Sequence, residues 1–305
     1  MPTRPTEAIV AAVTLATGAA ILALHQRRIR QTTLTSAWCW SWAALAGWAG
    51  VELLAAWRSD LTALALAPLR LAAVALSFCP AVSLVGAKRP QHAAWNIVVV
   101  SLWGIVALPA AENYFLHPGQ RLALGDARGW FLWILILLGP INFLPTRFWL
   151  AALLVAVGQV VALSRYVALP QRPPVPQPEL VGLALCGLGM LSAAASARRK
   201  TIAANPLDRL WLDFRNSFGL FWSLRVQERM NAASAQHGWD VELGWRGFRR
   251  REEALKPEAQ AKEPSDSPSL AIQSSEPALR TTFKGLLRRF VSGEWIAERM
   301  GQSLD

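Results

Sequence analysis

Charge is scarce in this chain. Asp, Glu, Lys and Arg make up 17% of its 305 residues, against about a quarter in an ordinary soluble domain, and the shortage falls on the first two thirds. A soluble fold is excluded there. Cysteine is scarce too: Cys39, Cys79 and Cys186 each sit inside an apolar run, with no close pair, which excludes a disulfide scaffold and a thiolate zinc site. The four histidines, His25, His92, His117 and His237, lie at the ends of apolar runs or beyond them. None can pair at a membrane midplane as bis-histidine haem ligation needs, and none belongs to a His-Glu-x-x-His motif. Only 5 of the 31 basic residues are lysine, none of them in an apolar run; this excludes a retinal Schiff base. Nucleophile elbows and phosphate loops are missing, and Gly125-Asp126 lacks the context of an intramembrane aspartyl protease. The reading is non-enzymatic, with no cofactor.

A formal charge of +11 raises nucleic acid as a partner. Yet residues before 198 hold 13 basic against 6 acidic side chains and the remainder 18 against 14, with no recognisable binding module. Nucleic acid is therefore set aside. The predominance of Arg, Ala and Leu suggests GC-rich coding DNA and a bacterial source.

What the chain has in abundance is long apolar runs. Seven occur, at 8–24, 37–57, 62–87, 93–111, 129–144, 148–168 and 180–197, each near the roughly 20 residues that cross a bilayer as a helix. An all-α bundle of seven transmembrane helices is predicted over residues 1–200. Basic residues cluster in alternate gaps: Arg27, Arg28 and Arg30; Lys88 and Arg89; Arg147; and Arg198, Arg199 and Lys200. The other gaps are poorer or compensated, as where Asp60 follows Arg58. Positive residues mark the cytoplasmic side, so the N-terminus is expected outside and the C-terminal region inside, in a bacterial inner membrane. The first run is expected to be retained, because its basic cluster follows the apolar stretch instead of preceding it. Run five is the shortest and holds Gly139-Pro140.

Trp38, Trp57, Trp95, Trp130 and Trp149 fall near run ends, where an indole prefers the headgroup level. Trp40, Trp42 and Trp48 lie deeper and are expected to face lipid or pack.

Charges inside the runs are costly and so mark sites. Glu52, Arg70 and Glu112 are expected toward the outer side, where Glu52 and Arg70 can form a structural ion pair or the three can line a polar pocket. Asn96, Asn142 and Gln159 read as interhelical hydrogen-bonding groups, and the small residues of run seven as a close-packing face. Pro80 and Pro140, each ahead of a basic loop, suggest broken helices of the kind transporters use.

Beyond residue 200 the composition changes. Asn205 as N-cap, Pro206 at the first helical position and Asp208 in the first turn predict a helix start. Leu207, Leu210, Trp211, Phe214, Phe218, Phe221 and Trp222 then recur at helical spacing to about Ala235, and Val241–Phe248 allows a short extended segment. Residues 252–277 lack apolar content and are expected as a disordered linker. Amphipathic helices follow over 278–305. Phe283, Leu287 and Phe290 form an apolar stripe opposed by Lys284, Arg288 and Arg289, a surface expected to meet a cytoplasmic protein or anionic lipid. The leading expectation is a membrane anchor, or signalling protein, for a cytoplasmic helical interaction module. A small-solute or lipid transporter, and an enzyme on a lipid-linked substrate, are the alternatives.

Overall fold

The computed structural model describes residues 4–58, 60–167, 175–199, 201, 203, 205–251 and 270–301, with side chains from 5 onward and, in the last segment, from 277. The chain divides into two units, Met1–Arg199 and Lys200–Asp305.

In the first unit each apolar run becomes helix, because a backbone surrounded by apolar side chains must satisfy its own hydrogen bonds. In order these are α1 (Arg4–Arg30), α2 (Thr35–Trp57), α3 (Ala63–Leu76), α4 (Cys79–Val85), α5 (Gln91–Leu116), α6 (Asp126–Phe143), α7 (Trp149–Leu163) and α8 (Pro178–Arg198). Among the described residues four stretches are long and apolar enough to cross a membrane: Pro5–Arg30, Ala63–Val85, Gln91–Leu116 and Pro178–Arg198. The other three expected spans are helical, but α7 is short, α6 opens on Asp126 and Arg128, and α2 carries Glu52 among five tryptophans. Ile9, Val13, Ile97, Ile105, Ile134 and Leu188 point outward, as a multi-pass membrane bundle requires.

Run three is broken. Between α3 and α4 the chain turns at Ser77-Phe78, with Pro80 in the first turn of α4, and a helix end there leaves carbonyls without partners. Gln159 of α7 answers one of them, its Nε2 donating to the Ser77 carbonyl (3.2 Å) and hydroxyl (3.1 Å). Pro140, by contrast, lies within an unbroken α6. Asn96 collects Ser36 and the Trp40 indole (3.2 Å), while Ser36 also meets Ser83 (2.7 Å).

Tryptophan does more interhelical work than its positions suggest. Trp38 donates to the Leu22 carbonyl (3.1 Å), Trp95 to Val82 (2.9 Å) and Trp103 to Ala72 (3.1 Å). Trp57, Trp130 and Trp149 remain exposed at helix ends, and Trp48 is buried in the core. Trp38 and Trp95 are half-buried, each with its indole N–H satisfied by a helix carbonyl.

The second unit begins with α9 (Pro206–His237), whose N-cap Asn205 accepts the Leu207 amide (2.9 Å). The expected single helix is interrupted at Gly219, where φ 75° and ψ −167° suit a residue without a Cβ. The extended segment is a hairpin, β1 (Val241–Gly244) antiparallel to β2 (Gly247–Arg250), with Val241 opposite Arg250 and Gly244 opposite Gly247. It is fastened to α9 by side chains that imitate backbone. Asn231 donates to the Leu243 carbonyl (3.1 Å) and accepts its amide (2.7 Å), and Asp208 accepts the Phe248 amide (2.7 Å). Trp211 and Arg215 both donate to the Trp245 carbonyl. Two helices complete the unit, α10 (Leu270–Leu287) and α11 (Gly293–Met300). Helix α10 therefore starts inside the stretch expected as linker; the rest of that stretch, 252–269, lies outside the described residues.

Candidate functional site

Two of the charges that lie inside apolar runs meet at one end of the first unit. Arg70 of α3 grips Glu52 of α2 with two parallel hydrogen bonds, Nε to Oε1 (3.0 Å) and Nη2 to Oε2 (2.7 Å), with both side chains buried. Bidentate geometry and burial make this the strong form of an ion pair. Glu112 is not part of it. That residue faces Arg128 at 3.7 Å on an exposed surface, because α5 continues five residues past the expected end of its run and carries the carboxylate out.

A second acidic side chain completes the cluster instead. Glu179, in the first turn of α8, is 1% exposed. Its Oε1 lies 3.0 Å from the Tyr166 hydroxyl and 3.5 Å from Arg165 Nη1. The Tyr166 hydroxyl also stands 3.3 Å from the Ala67 carbonyl; with one proton it serves one acceptor at a time. Glu179 Oε2 has no hydrogen-bond partner. The helix N-terminus favours a carboxylate there, and Glu179 is within electrostatic range of both Glu52 and Arg70. Gln177, held in the left-handed region at φ 50°, hydrogen-bonds Glu7 of α1, and Tyr166 accepts the Leu124 amide on its carbonyl (2.9 Å). The ends of α1, α2, α3, α7 and α8 are thus tied at a single polar knot of Glu52, Arg70, Tyr166 and Glu179, with Arg165 at its rim.

The sequence reading passed over Tyr166, Arg165 and Glu179. Arg165 stood inside run six, a signal of the same kind as Glu52. Glu179 sat one residue ahead of run seven, where a charge is read as a loop residue. Among the described residues no group of three or more His, Cys, Asp or Glu side chains gathers as a metal site would need.

The tail surface is rearranged more deeply. Phe283 and Leu287 are fully buried and Phe290 nearly so, because α10 supplies the core of its own unit. Phe290 packs edge-on to Phe214, Phe218 and Trp222 with ring centroids 5.0–5.4 Å apart, and Phe283 meets Phe248 at 5.2 Å. The apolar half of the expected docking helix is therefore internal. Arg288 and Arg289 stay exposed; the Lys284 ammonium is drawn below the usual lysine range by partial burial and then by Arg280 and Arg288. Beneath the hairpin, burial pushes the Asp208 carboxyl above the usual carboxylate range, while the Phe248 amide works the other way.

Comparison with protein-family models, curated proteins and solved structures finds no match for this chain.

Proposed function

We propose that this chain is a non-enzymatic bacterial inner-membrane protein, seven helices crossing with the N-terminus outside, that anchors, or signals to, a helical interaction module in the cytoplasm. The observation that carries this reading is the self-contained second unit. Its core of Trp211, Phe214, Phe218, Phe283, Phe290 and Trp295 is made within residues 200–305, so the module has a fold to present. Supporting the topology are the basic gaps, the Arg198-Arg199-Lys200 stop and the outward apolar side chains of the first unit. The bilayer is one partner; a cytoplasmic protein is the second.

Two measurements test it. Reporter fusions after Lys200 should give a fluorescent cytoplasmic protein and an inactive alkaline phosphatase; the reverse pattern sinks the orientation. The tagged full chain and a version ending at Lys200, purified in mild detergent, should differ by a protein that only the full chain retains. Identical recovery would remove the module's role.

A small-solute or lipid transporter is the second reading, favoured by the unsatisfied Glu179 Oε2 in the buried knot. A transporter should tolerate deletion of 279–305 and lose activity on combined Glu52→Gln and Arg70→Gln while still accumulating; an anchor should behave the other way round.

A further inference from the structure

We propose that Phe221 and Leu224 dock the C-terminal module onto an anionic phospholipid surface. Among the described residues of the second unit these are the two large apolar side chains left exposed, at 39% and 49%. They stand one turn apart on α9, immediately after the break at Gly219, so they share a face. The opposite face of the same segment, Ser223, Val226 and Met230, is buried. Nothing in the core requires Phe221 and Leu224 to point outward; polar residues would leave that core intact.

The surroundings identify the occupant. Arg225 and Arg229 flank the pair on α9, both exposed. The contact between Trp222 and Phe290, 5.0 Å between centroids, brings the turn after α10, with exposed Arg288 and Arg289, to the neighbourhood of Phe221. One carboxylate, Glu228, offsets Arg225 at 2.9 Å. An aromatic and a leucine ringed by arginine match the boundary between phosphate headgroups and acyl chains. Such a surface is at hand: seven residues separate the end of α8 at Arg198 from Pro206, a tether of at most about 25 Å. This inference rests on the anchoring reading, and it moves the lipid-facing surface from α10, whose apolar stripe is core, to α9.

The test uses the full chain with Cys39, Cys79 and Cys186 replaced by Ala and a nitroxide attached through Leu224→Cys. It is reconstituted in nanodiscs of phosphatidylcholine with or without phosphatidylglycerol. Docking predicts a label shielded from a water-soluble nickel chelate, and open to oxygen, only where phosphatidylglycerol is present, with the shielding lost in high salt. Each of Arg288→Glu and Arg289→Glu should weaken the shielded population at least about fivefold. A label equally open in both nanodiscs overturns the proposal. So does one equally shielded in both, which would mean that neutral lipid or protein covers the patch. An Arg251→Cys label, open throughout, shows that the shielding is confined to the patch. Nanodiscs offer both leaflets alike, so this result is independent of orientation, which the reporter fusions read separately.

Discussion

Gly158 of α7 and Gly182 of α8 face each other so closely that a Cβ on the first would stand 2.7 Å from the Gly182 carbonyl oxygen. One on the second would stand 2.5 Å from that of Gly158. The obstacle in each case is backbone, which cannot swing aside as a long side chain can.

Gly182→Val should therefore force α7 and α8 apart. Overpacking of this kind costs about 1–3 kcal/mol or more, and the variant should lose several degrees of thermal stability in detergent. Gly104→Ala is the matched control: open space surrounds that glycine on α5, and alanine there should be neutral or slightly stabilising. Equal melting of the two variants would mean the crossing is looser than described.

Removing one partner of the Glu52 and Arg70 pair leaves the other charged and enclosed. Glu52→Ala or Arg70→Ala should each destabilise by about 3–5 kcal/mol, whereas replacing both by leucine should recover most of the loss. Accumulation in membranes and thermal aggregation of the solubilised protein measure this. Single variants as stable as the double would show that the two side chains are not coupled.

Asp208 gives the module a dependence on acidity. Its folded pKa is raised from the ordinary value of 3.8, chiefly by burial, so the folded state holds the proton more tightly than the unfolded one. That contribution is complete below the ordinary value and is lost as pH rises through the raised one. Asp208→Asn keeps an acceptor for the Phe248 amide and cannot ionise. Hydrogen exchange at that amide in the full chain should slow in Asp208→Asn relative to the parent, and the gap should widen from acid toward neutral pH. A constant gap would sink the claim.

The helices and the Glu52 and Arg70 pairing were legible because each obeys a local cost: an apolar run must close its own hydrogen bonds, and a charge within one must find a counter-charge. The knot was half legible. Tyr166 and Glu179 flank a proline-rich connection, and only the folded path carries them back over α3. The stripe of Phe283, Leu287 and Phe290 teaches a different lesson. Periodicity reports that one face of a helix is apolar, but membrane, partner and own core all satisfy it equally. Phe221 is the converse, belonging to the same sequence pattern as Trp211 and Phe214 until Gly219 turns its face away from theirs. A break at one glycine separates a core position from a surface one, and periodicity does not register it.

The indole contacts of the first unit have a consequence for how it experiences its two compartments. Trp38, Trp95 and Trp103 join neighbouring helices through a neutral donor and a carbonyl, neither of which gains or loses a proton in any ordinary environment. These seams keep the same strength in acid or base, in dilute or concentrated salt. Weather on either side of the membrane reaches the bundle through its few carboxylates, and the rest of the joinery does not feel it.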